Sequence, residues 1–221
     1  MKKLLLGLMA AVTVSPVMAQ DPPIPKWKTP HSMGCMLVRE CTDQVVKISG
    51  SKELTEILGS DYSEYQEEID GIISELEKMG VDVYLAPDKF FTRNVAGSYY
   101  TVGNDFFLND SYSSDPHQLI KTLRHEAWHA AQDAMAGTID NSLIAIIRNQ
   151  EDVPRNFILL AEIAYPPSAQ PWEAEAKWAG STPDMTLEVL KVINETNGRP
   201  WEIIEPTPLT RKYLVNEGYI Q

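Results

Sequence analysis

The stretch that most constrains this chain runs from Pro116 to Gly137, its longest helix-like segment. Ser114 or Asp115 precedes it as a cap, Pro116 takes the first helical position and Gly137 supplies the stop. Inside it lies His125-Glu126-Ala127-Trp128-His129. Residues four apart on a helix stack one turn above each other on one face, so these two imidazoles can reach a single cation. Glu126 lies beside them and is not needed as a ligand. Leu119, Ile120, Leu123, Ala127, Ala130, Ala131 and Ala134 give the segment an apolar side. A helix packed on several sides is a rigid mount for reactive groups.

The 221 residues carry 31 acidic and 19 basic side chains, a formal charge of −12. That balance argues against nucleic acid or anionic membrane as partner, because both bind basic surface. Residues 1–19 read as a secretory signal peptide: Lys2 and Lys3, the apolar run Leu4 to Val14, then a cut after Ala19. The run is shorter than the roughly 20 residues of a membrane span, so a soluble periplasmic or secreted monomer is expected. Export makes the only two cysteines, Cys35 and Cys41, candidates for a disulfide that staples a local turn.

Residues 20–60 read as a proline-rich arm, with Pro22, Pro23, Pro25 and Pro30, followed by the cysteine segment. In it Val45 to Ile48 is a short strand or a turn-rich connection. Residues 61–221 read as one α+β domain, with no internal repeat. Ser63 and Gln66 stand in capping-box spacing at the head of a helix that Gly80 stops. Ile69, Ile72, Ile73 and Leu76 form its apolar face, and Glu64, Glu67, Glu68, Glu75 and Glu77 a solvated one. Short strands follow at Val81 to Leu85, Ser98 to Val102 and Asp105 to Leu108. Beyond Gly137, helices are expected over Ile139 to Ile147, Asn156 to Tyr165, Pro171 to Ala179, and from Asp184 to Asn197. His117, in the first turn of the motif helix, reads as an ordinary exposed histidine.

Catalytic zinc takes three protein ligands and leaves a fourth position for water. The metzincin pattern needs a glycine three residues after His129 and a histidine six after it; Gln132 and Met135 stand there. With a glutamate from a later helix as the remaining option, the chain resembles the gluzincin zinc peptidases over about Gly97 to Gly180. The resemblance rests on the His-Glu-x-x-His helix, the strands before it and Glu173-Ala174-Glu175-Ala176 after it. Glu151, Glu162, Glu173 and Glu175 are the candidates. On the helix from Pro171, Glu175 shares a face with Trp172, Trp178 and Ala179, whereas Glu173 falls with Lys177 on the wetter side. A carboxylate on an apolar face needs a partner, which a dication or a buried arginine such as Arg124 could supply. In the related peptidases the second Glu of this pattern is the ligand, so Glu175 is the expected third ligand, ahead of Glu173 and Glu162.

The resemblance implies a zincin-like fold in which Asp105 to Leu108 is the sheet edge beside the site, where an extended peptide could add as a strand. It implies Zn²⁺ on His125, His129 and Glu175, with Glu126 as general base in peptide hydrolysis. Tyr165 is the candidate for stabilising the oxyanion, and otherwise a core aromatic. Arg124 and Asp133 could orient the histidines, or form surface ion pairs. Two other functions fit the same residues: a non-catalytic peptide-binding protein on this scaffold, and a zinc amidase acting on cell-wall peptides.

Overall fold

The computed structural model describes residues 34–37, 43–101, 103–136 and 144–196. The expected signal peptide, the proline-rich run, Cys41, Val102, Gly137 and the chain from Asn197 onward lie outside them. In order, the elements are α1 (Gly34–Leu37), β1 (Val46–Lys47), α2 (Ser51–Leu58), α3 (Gln66–Lys78), β2 (Asp82–Ala86), β3 (Gly97–Tyr100), β4 (Asp105–Asn109), α4 (Asp110–Ser113), α5 (Pro116–Ala136), α6 (Arg155–Ala164), α7 (Gln170–Ser181) and α8 (Met185–Glu195). The chain is thus α+β, with a small mixed sheet and most of its helix after it. No helix among the described residues is long and apolar enough to cross a membrane.

The sheet order is β1-β2-β4-β3, with β2 and β4 parallel and the flanking strands antiparallel to their neighbours. Side chains alternate between its faces. Phe106 and Leu108 join Val83 and Leu85 in the main core, while Phe107 turns the other way, onto Phe90, Phe91 and Met36. This order corrects the expected edge. The strand at Asp105–Asn109 is buried along its whole length and lies inside the sheet, as a strand apolar on both faces should. The outer strand is β3, which folds back on β4 through the turn at Gly103 and Asn104, where Asn104 takes φ 53°.

Helices α3 and α5 cover one sheet face, α8 packs against both of them, and α5 runs through the middle of the main core. Ile48 and Leu54 belong to that core too, so residues ahead of the expected boundary at 61 pack with the body. Ser63 caps nothing. Ser63–Tyr65 is a single 3₁₀ turn whose first amide donates to Asp61, and α3 starts at Gln66. The acid face of α3 is only partly solvated: Glu68 pairs with buried Arg124, and Glu75 accepts from Lys78 and Asn194. Cys35 is disulfide-bonded.

The helix expected over Ile139 to Ile147 is not seen in its described part. Ile144 to Ile147 is an irregular strap, tied to the end of α5 by Ala145 N donating to Gln132 O at 3.0 Å. A short apolar run suits an extended segment as well as a helix. Here the backbone amides of Ile147 and Arg148 are drawn to a buried carboxylate and leave the helical pattern.

Candidate metal centre

Helix α5 carries His125 and His129, and α7 packs directly against it. Gly180 permits that approach: a Cβ there would lie 3.0 Å from Lys121 O and 3.2 Å from His125 Cβ. The close packing brings Glu173, in the first turns of α7, over the two imidazoles. Its carboxylate oxygens lie 3.5 Å from His125 Nε2 and 3.7 Å from His129 Nε2, and the two Nε2 atoms are 3.2 Å apart. Among the described residues, His125, His129 and Glu173 are the group of ligand-type side chains that converges, all within 4.8 Å.

The expected third ligand, Glu175, is not in this group. It is fully buried on the opposite side of α7, where it accepts hydrogen bonds from Trp128 Nε1, Gln132 Nε2, Gln150 Nε2 and the amides of Ile147 and Arg148. Five donors already satisfy it. Neither burial on an apolar face nor the resemblance places Glu175 beside the imidazoles: the site opens on a cleft, and the half-exposed side of α7, with Glu173, meets it. Glu151 and Glu162 are exposed and do not belong to the group, and Arg124 is bound to Glu68.

Gln132 connects the two glutamates' surroundings. Its Nε2 donates to Glu175 Oε2 at 2.9 Å and to Trp172 O at 3.2 Å, both pure acceptors, which fixes the amide's orientation. Its oxygen therefore faces His129 Nδ1, 2.8 Å away, and His129 must donate. A proton therefore sits on Nδ1, and Nε2 is the ring nitrogen turned toward His125 and Glu173. Gln132 does what Arg124 and Asp133 were expected to do. Asp133 instead accepts from Tyr99 Oη at 2.7 Å.

Glu126 faces the cleft on the sheet side. Its Oε2 accepts from Tyr99 N at 2.9 Å, an amide of the outer strand turned away from β4. Strand β3 lies this close because residue 97 is glycine: a Cβ there would be 2.6 Å from Thr122 Cγ2 and 3.1 Å from Glu126 Cγ. Burial pushes the Glu126 carboxyl up to about 7, partly offset by His129 and the Tyr99 amide and reinforced by Glu173. For Glu173, burial is outweighed by His125 and His129, and the carboxyl stays below its ordinary value. A cavity of about 230 Å³ is lined by these side chains together with Tyr165, Tyr99 and Ile144. Burial, then the Glu173 and Glu126 carboxylates, push the Tyr165 hydroxyl above its usual range, which leaves it a proton donor.

Two imidazole nitrogens and a carboxylate make a donor set suited to a divalent cation, though not to zinc alone. The fit is visible in one atom. Glu173 Oε2 is buried without a hydrogen-bond partner, beside two imidazole nitrogens with no backbone donor among them. A cation there satisfies all three. The two histidines, Glu126 and Tyr165, all singled out from the sequence, line one cavity; Gln132 was not singled out, and its signal is a polar residue on the buried side of the motif helix. No family model matches the chain, and no curated protein or solved structure matches it either.

Proposed function

We propose that this protein is an exported zinc-dependent peptidase. The observation that carries the reading is the paired Nε2 atoms facing an unpartnered buried carboxylate oxygen, with the Glu126 carboxyl in the same cavity. His125, His129 and Glu173 would hold the ion, which supplies Lewis acidity toward water and a peptide carbonyl. Glu126 then takes a proton from the attacking water and delivers it to the leaving amine. Burial raises this carboxyl to about 7 in the metal-free chain, and a dication beside it would favour the ionised form that accepts the proton. Tyr165, held protonated, donates to the carbonyl oxygen as charge develops on it.

The outer strand offers a place for substrate. In an antiparallel ladder alternate residues turn their amide and carbonyl outward, and the Tyr99 amide is one of these, so those of Gly97 face the same way. The Tyr99 amide is held by Glu126, so an extended peptide can pair at Gly97 and lay one of its bonds across the cleft. Glu126→Gln is the deciding variant. It should keep its metal and lose hydrolysis of a denatured protein by at least about 10²–10⁴-fold; unchanged hydrolysis would reject the role.

A further inference from the structure

A second cavity, of about 380 Å³, opens beside the first and shares Gly97, His125, Glu126 and Tyr165 with it. Two lysines line it. Lys121 is exposed on α5 one turn before His125, and Lys177 is half-buried on α7 one turn after Glu173. The Lys177 ammonium stands 5.0 Å from the Tyr165 ring centroid. Neither ammonium forms an ion pair with a described residue, and Glu126 is the lone acid among the described lining. In a chain of net charge −12 such a local excess of cations is against the trend. Phe157, Leu160 and Val95 give the cavity an apolar wall.

We propose that this cavity binds a substrate carboxylate next to the bond to be cut, so that the protein selects peptides bearing one there. Two ammonium groups on neighbouring helices, each one turn from a residue of the metal centre, can flank a carboxylate that sits over the apolar wall. The carboxylate comes from a Glu or Asp side chain or from a free C-terminus; both present the same charge and geometry. Cleft walls of low dielectric strengthen the attraction and steer acidic peptides in, while the acidic remainder of the surface repels them from elsewhere. This proposal rests on the peptidase reading for its substrate class, but not for its binding.

The test uses the full chain loaded with zinc and alanine peptides carrying one central glutamate or glutamine, each with a free or amidated C-terminus. Binding is read by fluorescence anisotropy of labelled peptides on the Glu126→Gln protein, and hydrolysis on the wild type. The carboxylate peptides should bind about tenfold more tightly than their amide counterparts, the size expected of two partly exposed ion pairs. Lys121→Met/Lys177→Met should erase the ratio while keeping zinc content, and the exposed Lys121→Met alone should reduce it. The free-acid and glutamate arms show which carboxylate is preferred. Equal binding of carboxylate and amide peptides overturns the proposal even if hydrolysis occurs. A clear binding preference without hydrolysis upholds the pocket and removes the peptidase reading.

Discussion

Glu173 and Glu175 stand two residues apart on α7 with their carboxylates on opposite sides of it, one facing two imidazoles and the other facing five hydrogen-bond donors. One has an unpartnered oxygen and the other has none. A single Glu-x-Glu pattern therefore supplies a candidate ligand and a structural anchor, and the anchor ties the strap at Ile144–Arg148 to both helices of the site.

The two positions should separate cleanly on mutation. Glu173→Gln removes the only anionic donor of the group, so zinc affinity should fall by more than the ~10–100-fold that an outer hydrogen-bond partner commands. Its melting temperature should fall less than that of Glu175→Gln, because the Glu173 carboxylate faces two imidazoles at 3.5 and 3.7 Å and not five converging donors. Glu175→Gln should do the reverse. An amide nitrogen placed among five donors leaves at least one of them unpaired, at a cost of about 1–3 kcal/mol, while the ligands themselves remain. Zinc titration and thermal unfolding of both variants check this, and loss of zinc confined to Glu175→Gln would reverse the assignment.

Gln132 acts on His129 and on Glu175 at once, and its removal should be felt at both. Gln132→Ala frees the imidazole to change tautomer and rotate, which should lower zinc affinity by about 10–100-fold. A merely structural role would lower the melting temperature alone. Gln132→Glu keeps an acceptor for His129 but opposes Glu175 with a second carboxyl, so it should recover part of the zinc affinity while remaining unstable.

How much of this was legible beforehand depends on the range of the interaction that decides each feature. Periodicity is local, so the sequence alone placed α5, α6, α7 and the three main strands, and it brought His125, Glu126 and His129 to one helix. Strand order is not local. Nothing between Asp105 and Leu108 says that Gly97 to Tyr100 will fold back outside it; that follows from how β2 and β4 pair in register, Asp82 with Asp105 through Ala86 with Asn109. The third ligand failed for a related reason. Helical phase separates Glu173 from Glu175, but burial does not mark a ligand, and which face of α7 meets the cleft is decided by packing at Gly180 and His125. Gln132 was read only for the glycine it is not.

Gly97 sets the distance between the outer strand and Glu126, the proposed general base, so a single methyl should disturb the proposed chemistry before it disturbs metal binding. In Gly97→Ala the new Cβ meets Thr122 Cγ2 at 2.6 Å and Glu126 Cγ at 3.1 Å unless strand or side chain shifts. Displacing a reacting group by about 1 Å costs up to ~10²-fold, and kcat should fall by roughly ten- to a hundredfold with zinc retained. Thr122→Ser deletes the nearer methyl and keeps the hydroxyl that accepts from Gln118. The double variant should therefore regain part of the lost rate, whereas a loss of zinc in Gly97→Ala would show that the strand supports the ligands instead.

Asp133 should give the fold a pH dependence that owes nothing to metal. Its Oδ1 is buried without a partner, and its Oδ2 meets the Tyr99 hydroxyl, which also reaches Asn104 Oδ1 at 2.9 Å. One hydroxyl proton lies between two acceptors, so a protonated Asp133 that donates to Tyr99 completes the chain through to Asn104. Asp105 adds further negative charge beside Tyr99. Burial outweighs the Tyr99 hydrogen bond and pushes the Asp133 carboxyl from 3.8 up to about 6. A carboxyl that holds its proton more tightly when folded favours the native state below its unfolded value, and that contribution is lost as pH rises from about 4 through about 6. Asp133→Asn keeps a neutral group of the same shape, so the variant should be more stable than the wild type at pH 8, by about 1–3 kcal/mol. The gap should close as pH falls toward 4 to 5. Chemical denaturation of the zinc-free proteins across that range measures it, and a gap that is constant with pH would mean that Asp133 stays ionised in the folded chain.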